Sequence, residues 1–246
     1  MKSPLWMVAV LAGSAIAAPG TAVAAESCGV PASILDLENW KETLPTGSAG
    51  HPDEIKQPKL ANYAKAPWFT ANPGCDGVRF RAAVNGVTTG GSGNPRSELR
   101  EMDGSDGASW STTSGTHTMV IDEAITHLPN GKPHVVAGQI HDDEDDVTVF
   151  RLEGTQLYVT KGDDTHYQLV TGSYRLGTKF QAKFVAGDGK IKAYYNGELK
   201  ATVDAESSGD YFKAGAYTQA NCEKSSPCED SNYGEVVVYG LKVTHS

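Results

Sequence analysis

Apolar and polar positions alternate with period two along most of this chain, and helical spacing is rare. The alternation predicts strands over Val78–Val84, Arg96–Met102, His117–Ala124, His134–His141, Val147–Leu152 and Gln156–Thr160. It continues over Tyr167–Thr171, Phe180–Ala186, Lys190–Tyr195, Leu199–Val203, Phe212–Gln219 and Glu235–Thr244. Turn residues separate these runs. Tyr195-Asn196-Gly197-Glu198 is a hairpin signal, because Asn-Gly accepts the positive φ of a type I′ turn, and Glu153-Gly154 and Gly187-Asp188-Gly189 mark further turns. Short helical turns are expected only around Asp36–Trp40 and Pro58–Ala64. Many short strands without a repeat predict an all-β chain, a two-sheet antiparallel sandwich or jelly roll, whose large curved sheet can hold an extended polymer across its concave face.

The first residues change this picture at one end. Lys2, an apolar Ala-rich run from Leu5 to Ala18 and the small residues Thr21 to Ala25 read as a secretory signal peptide over residues 1–25. That run is too short to span a membrane well and breaks at Pro19-Gly20, so no membrane partner is expected. A single catalytic domain over 26–246, secreted and monomeric, is the expectation. Export makes the four cysteines readable as disulfides. Three pairings are possible. Cys222 and Cys228 bracket a short loop, so a local bridge is the economical choice, and it leaves Cys28 with Cys75. The cysteine spacings contain no C-x-x-C pair for zinc, and no EF-hand or cofactor fingerprint is present, so neither metal nor cofactor is expected.

The formal net charge is -9, which argues against nucleic acid as a partner. An acidic protein suits a polyanion only if its cations are gathered in the cleft. The run Asp142-Asp143-Glu144-Asp145-Asp146 is then expected to lie away from the reacting sugar.

Candidate chemistry sits on three strands. Arg96, Glu98 and Arg100 share one face; so do Gln139 and His141; so do Tyr211, Lys213, Tyr217 and Gln219. Cations, an amide, an imidazole and a phenol on one surface suit proton abstraction beside a carboxylate. In a uronate the C5 proton becomes acidic when the C6 carboxylate is neutralised; a base removes it and an acid protonates the O4 leaving group. Guanidinium groups fork onto carboxylates, which suits Arg96 and Arg100, with Gln139 adding an amide. Glu98 would orient the arginines. His141 and Tyr217 suit proton transfer, a phenol acting as base only where cations favour its ionised form. Taken singly, each feature has a plainer reading: an ion-pair ladder on a solvated strand, a structural histidine, a rim tyrosine. The Gly90–Pro95 stretch is a candidate lid or substrate-contact loop.

Together the segments resemble the alginate lyases of polysaccharide lyase family 7. Arg96-Ser97-Glu98-Leu99-Arg100 matches the family's Arg-(Ser/Thr)-Glu-Leu-Arg motif, Gln139-Ile140-His141 its Gln-(Ile/Val)-His, and Tyr211 to Gln219 its Tyr-Phe-Lys-x-Gly-x-Tyr-x-Gln. Ile34–Lys41 followed by Thr43-Leu44-Pro45 is similar to the family's N-terminal opening. The resemblance implies a jelly roll that cleaves alginate endolytically by β-elimination, leaving a 4,5-unsaturated uronate. It implies catalytic roles for Arg96, Gln139, His141 and Tyr217, with Arg100, Glu98, Lys213, Gln219 and Tyr211 binding substrate. The isoleucine of Gln-Ile-His implies acceptance of guluronate-containing blocks.

Two other classes would fit a similar sandwich. A glucanase-like hydrolase needs alternating carboxylates on a buried strand, whereas Asp142–Asp146 run consecutively. A carbohydrate-binding module would keep the aromatics and arginines but has no use for a His and Tyr set for proton transfer.

Overall fold

The structure, a computed structural model, describes Met1 and residues 28–246, so the expected signal peptide lies outside the described residues apart from Met1. In chain order the strands are β1 (Trp40–Ser48), β2 (His51–Ile55), β3 (Phe69–Ala71), β4 (Val78–Ala83), β5 (Arg96–Asp103), β6 (Asp106–Gly107), β7 (Trp110–Ser111), β8 (His117–His127) and β9 (His134–His141). There follow β10 (Asp146–Glu153), β11 (Gln156–Lys161), β12 (Asp164–Thr171), β13 (Phe180–Gly187), β14 (Lys190–Tyr195), β15 (Glu198–Asp204), β16 (Ser208–Thr218) and β17 (Tyr233–His245). They form two antiparallel sheets. One runs β12-β11-β10-β9-β16-β5-β1-β2, with β6 and β7 attached at β5 and β16; the other runs β15-β14-β13-β8-β17-β4-β3. The sheets stack as a sandwich, the architecture expected from the alternation.

Each strand folds as it does because one of its faces is apolar. In β13, Phe180, Ala182, Phe184 and Ala186 turn inward while Gln181, Lys183 and Val185 turn out. Phe69, Phe80, Phe150, Phe184 and Phe212 are fully buried between the sheets. Each contributes about 1.5–3 kcal/mol relative to exposure. The hairpins carry the predicted turn chemistry: Asn196 and Gly197 have φ of 51° and 83°, and Asp188 and Gly189 have 55° and 69°.

The helical turn expected around Asp36–Trp40 is not present. A 3-10 turn instead occupies Pro31–Ser33, where Pro31 supplies the starting φ. Asp36 Oδ1 then accepts the Glu38 amide at 3.1 Å, a local bond that competes with helix, and from Trp40 the chain pairs with β5. The second expected turn is there, as a 3-10 helix over Lys59–Asn62. Strands β1 and β2 carry no prediction, because Pro45, Gly47 and Pro52 interrupt their alternation, and β3 is only three residues long.

Disulfides join Cys28 to Cys75 and Cys222 to Cys228. Among the described residues no helix is long and apolar enough to cross a membrane.

Candidate active site

In a sandwich the outward face of a strand is normally solvated, and β5 breaks this rule. Ser97, Leu99 and Glu101 face the core, yet Arg96 and Glu98 on the opposite face are also buried. Buried charge costs several kcal/mol unless it is paired, so the surface above β5 must be built to pair it. It is built by the two neighbouring strands. Strand register sets Arg100 beside Lys213 and Arg96 beside Tyr217 across β5 and β16. It sets Lys213 beside Gln139 and Tyr211 beside His141 across β16 and β9. A bulge in β16 lies between these rows, at Gly215 with φ of 135°. A Cβ there would meet the Ser97 carbonyl at 2.7 Å and the Phe80 ring at 2.9 Å, so only glycine fits.

Glu98 is the hub. Its carboxylate takes the Lys213 ammonium at 2.7 Å, the Arg96 guanidinium at 3.2 Å and the amide N–H of Gln139. Burial alone would push Glu98 up, but Lys213 and Arg96 outweigh it and hold the carboxyl below the ordinary glutamate range. The pair is not symmetric. Lys213 shares this one carboxylate with Arg96 and stands near Arg100, so burial prevails and its ammonium falls to about 8. Arg96 stacks over the Tyr217 ring at 3.9 Å and Arg100 over Tyr211 at 3.8 Å.

The two proton-transfer candidates have defined hydrogen bonds. His141 Nδ1 lies 2.6 Å from the Asp142 carbonyl, so that nitrogen carries the proton and donates. The Tyr211 hydroxyl is 3.1 Å from the same nitrogen, and the two rings stack. The lone pair of His141 therefore sits on Nε2. Burial, then the nearby Lys213 charge, depress the imidazole below its usual range and keep it neutral near pH 7. Burial raises the Tyr211 phenol. The Tyr217 hydroxyl is 2.7 Å from Ser92 Oγ on the loop before β5.

A cleft of about 330 Å³ opens above this array, lined by Arg96, Arg100, Gln139, His141, Tyr211, Lys213 and Tyr217 among others. Glu98 lies beneath. Gln219 does not line it: its carbonyl oxygen accepts Arg151 at 2.8 Å, in a separate network with His134 and Glu153. The expectation for the acidic run needs correction, because Glu144, Asp145 and Asp146 form part of the cleft wall. The run fills the short turn from His141, the end of β9, to Asp146, the start of β10, which leaves no length to carry it away. Burial, then the Asp145 charge, push Asp146 up to about 6. Sequence reading missed Lys41, Thr43 and Glu54, which extend the cleft over β1 and β2, and it missed Ser92 as the partner of Tyr217. The Gly90–Pro95 stretch, flagged as a contact loop, contained the latter signal.

A larger cavity, about 620 Å³, opens elsewhere between Trp40, Trp110, His117 and His245. Its carboxylate Glu101 and its two histidines are committed: Glu101 accepts from Trp110, His245 and the Phe212 amide, while His117 bonds His245 and the Ser114 carbonyl. The smaller cleft holds the convergent, reactive set.

The family model described as alginate lyase matches residues 35–245. The crystal structure of an alginate lyase from Corynebacterium sp. is 66% identical with a TM-score of 0.88, covering 90% of this chain and 100% of that one. AlgAT5, an alginate lyase from polysaccharide lyase family 7, is 53% identical with a TM-score of 0.83, covering 88% and 99%. The family 7 alginate lyase A1-II', solved as a His-to-Asn and Tyr-to-Phe double variant with the substrate GGMG, is 26% identical with a TM-score of 0.75, covering 89% and 97%. Among curated proteins no match was found. With a jelly-roll sandwich, a cationic cleft on its larger sheet and a family match over nearly all the described residues, the chain belongs to the alginate lyases of polysaccharide lyase family 7.

Proposed function

We propose that this protein is a secreted, monomeric, endolytic alginate lyase that accepts guluronate-containing blocks. The observation that carries the reading is the Glu98-centred array, which holds three donors beside a neutral imidazole and a phenol. Arg96 and Gln139 bind the C6 carboxylate of the reacting uronate. Arg96 lines the cleft, where a guanidinium can fork onto that carboxylate. Neutralising the carboxylate acidifies H5, and donors fixed in place stabilise the charge that builds as the proton leaves. At guluronate the lone pair on His141 Nε2 takes H5, and the Tyr217 hydroxyl protonates O4. The C4–O4 bond breaks as the C4–C5 double bond forms.

The two alginate sugars differ at C5, so elimination is syn at mannuronate and anti at guluronate. In the syn case Tyr217, entering as the phenolate, removes H5 and returns that proton to O4. In the anti case His141 and Tyr217 act from opposite faces of the ring. The cleft spans β1, β5, β16 and β9 on an open sheet face, which supports cleavage within a chain. The disulfides support a protein that works outside the cell.

The test measures the ultraviolet absorbance of the unsaturated uronate on pure mannuronate and pure guluronate blocks. Tyr217→Phe is expected to lose about 10²-fold or more on both. His141→Asn is expected to lose more on guluronate than on mannuronate. Retention of more than about a tenth of the activity by Tyr217→Phe, against the loss usual for an acid–base group, overturns the assignment. Equal fractional loss in His141→Asn removes the two-residue anti scheme.

A further inference from the structure

We infer that Ser92 is the positioning residue of Tyr217 and the route by which its proton is returned. The inference rests on the proposed function and extends it to a residue outside the three catalytic strands.

The Ser92 oxygen is fixed by its own loop. It accepts the Asn94 amide at 3.1 Å, a local turn that anchors the hydroxyl whatever its hydrogen does. Two partners then compete for that hydrogen. The Asn94 carbonyl stands 3.3 Å away and the Tyr217 oxygen 2.7 Å away. When the Ser92 hydrogen points to Asn94, the phenol donates to Ser92. When it turns to Tyr217, the phenol proton is free to point into the cleft. The Ser92 hydroxyl is a rotor with two satisfied settings, and each corresponds to one orientation of the tyrosine proton. The Arg96 guanidinium lies over the phenol ring, so the ring itself is held while the hydrogen moves. Gly91 and Gly93 on either side of Ser92 are exposed, and Ser92 is itself partly exposed and lines the cleft, so water reaches this loop.

Anti elimination creates a need that syn elimination does not. In the syn case Tyr217 enters as the phenolate, takes a proton from C5 and gives it to O4, so the tyrosine ends as the phenolate it began as. In the anti case the C5 proton goes to His141 Nε2 and the Tyr217 proton goes to O4. The turnover ends with an imidazolium and a phenolate. Resetting requires one proton out of His141 to water and one into Tyr217. Ser92 supplies the second: its O–H proton passes to the phenolate oxygen while a water proton passes to Oγ. One proton leaves to solvent and one enters, so the cycle balances with no other reactant.

The experiment compares Ser92→Ala with Ser92→Thr, which keeps the hydroxyl. Circular dichroism establishes folding, and kcat and KM are measured on both block types. Loss of the hydrogen bond is expected to lower kcat of Ser92→Ala by roughly 3- to 10-fold on mannuronate, through poorer placement of the phenol. The loss on guluronate is expected to be at least about threefold larger still, because proton return is lost as well. KM should stay within about twofold, and Ser92→Thr should restore both activities, since the hydrogen bond is the part that matters. A second readout needs no substrate: the 13Cζ resonance of Tyr217, assigned with Tyr217→Phe, should move in Ser92→Ala and not in Ser92→Thr. Equal kcat losses on the two polymers overturn the proposal, as does a change confined to KM or an unmoved Tyr217 resonance. Failure of the wild type to produce unsaturated product from either polymer would instead defeat the function reading, and the resonance distinguishes the two failures.

Discussion

Lys213 shows how one residue's surroundings fix the working range of the site. Its ammonium is completed by Glu98 yet opposed by burial and by the arginines, and it titrates at about 8. The cleft therefore loses a positive charge as pH rises through that value, just where an anionic sugar must bind. Activity on alginate is expected to fall on the alkaline side with this limb. Lys213→Arg, which keeps its charge throughout, should move the limb upward in a pH–rate profile. An alkaline limb unchanged in that variant would place its origin elsewhere. On the acid side His141 sets the opposite sign. Burial depresses it, so with His141 as the proposed base the neutral form survives to lower pH than a free imidazole would, and the rate on guluronate is expected to fall only when pH drops through that depressed range.

At the scale of an element, β8 carries a conflict. Glu123 points into the core with neither carboxylate oxygen partnered within the protein, among the described residues. Burial, then the charge of Asp122, raise it well above the ordinary range. For an acid raised in the folded state, the unfolded chain gives up its proton first. Stability is thus greatest below the unfolded value and declines as pH climbs from there to the folded value. Glu123→Gln removes the penalty. It should raise Tm by several degrees at pH 8 and much less at pH 4, measured by calorimetry. Equal shifts at both pH values would mean that charge is not the cause.

The legibility of this molecule in its sequence follows the same scale. Lys190–Tyr195 was readable to the residue because it alternates between a core face and a solvent face, whereas His134–His141 is buried on both faces and was bounded by the polar residues at its ends. Strand β1 was not, since its place is set by pairing with β5 and β2 rather than by its own pattern. The cleft residues Arg96, Gln139, His141 and Tyr217 were legible as strand faces. The hub role of Glu98 was half legible, and the Ser92 contact was not, because a loop has no period to read. Gln219 shares the parity of Tyr217, but parity alone cannot show that Arg151 takes its carboxamide into another network.

For the whole molecule, the two disulfides divide the work unequally. Cys28–Cys75 closes 47 residues and Cys222–Cys228 closes 6. Restricting the unfolded chain favours the longer loop, about 4 kcal/mol against about 2 kcal/mol. Replacing Cys28 and Cys75 with serine should therefore lower the urea midpoint more than replacing Cys222 and Cys228. The reverse order would show that strain or local packing outweighs chain entropy.

The pairing of β9, β16 and β5 also has a consequence in time. The hairpins β10–β11 and β13–β14 join neighbours in the chain, whereas Arg100, Lys213 and Gln139 come together from distant segments. Distant pairings close slowly because loop entropy must be overcome before any contact rewards it. Because β16 lies in the middle of its sheet, the slow step that seats it between β9 and β5 completes the sandwich and assembles the cleft together, so shape and chemistry arrive at one moment.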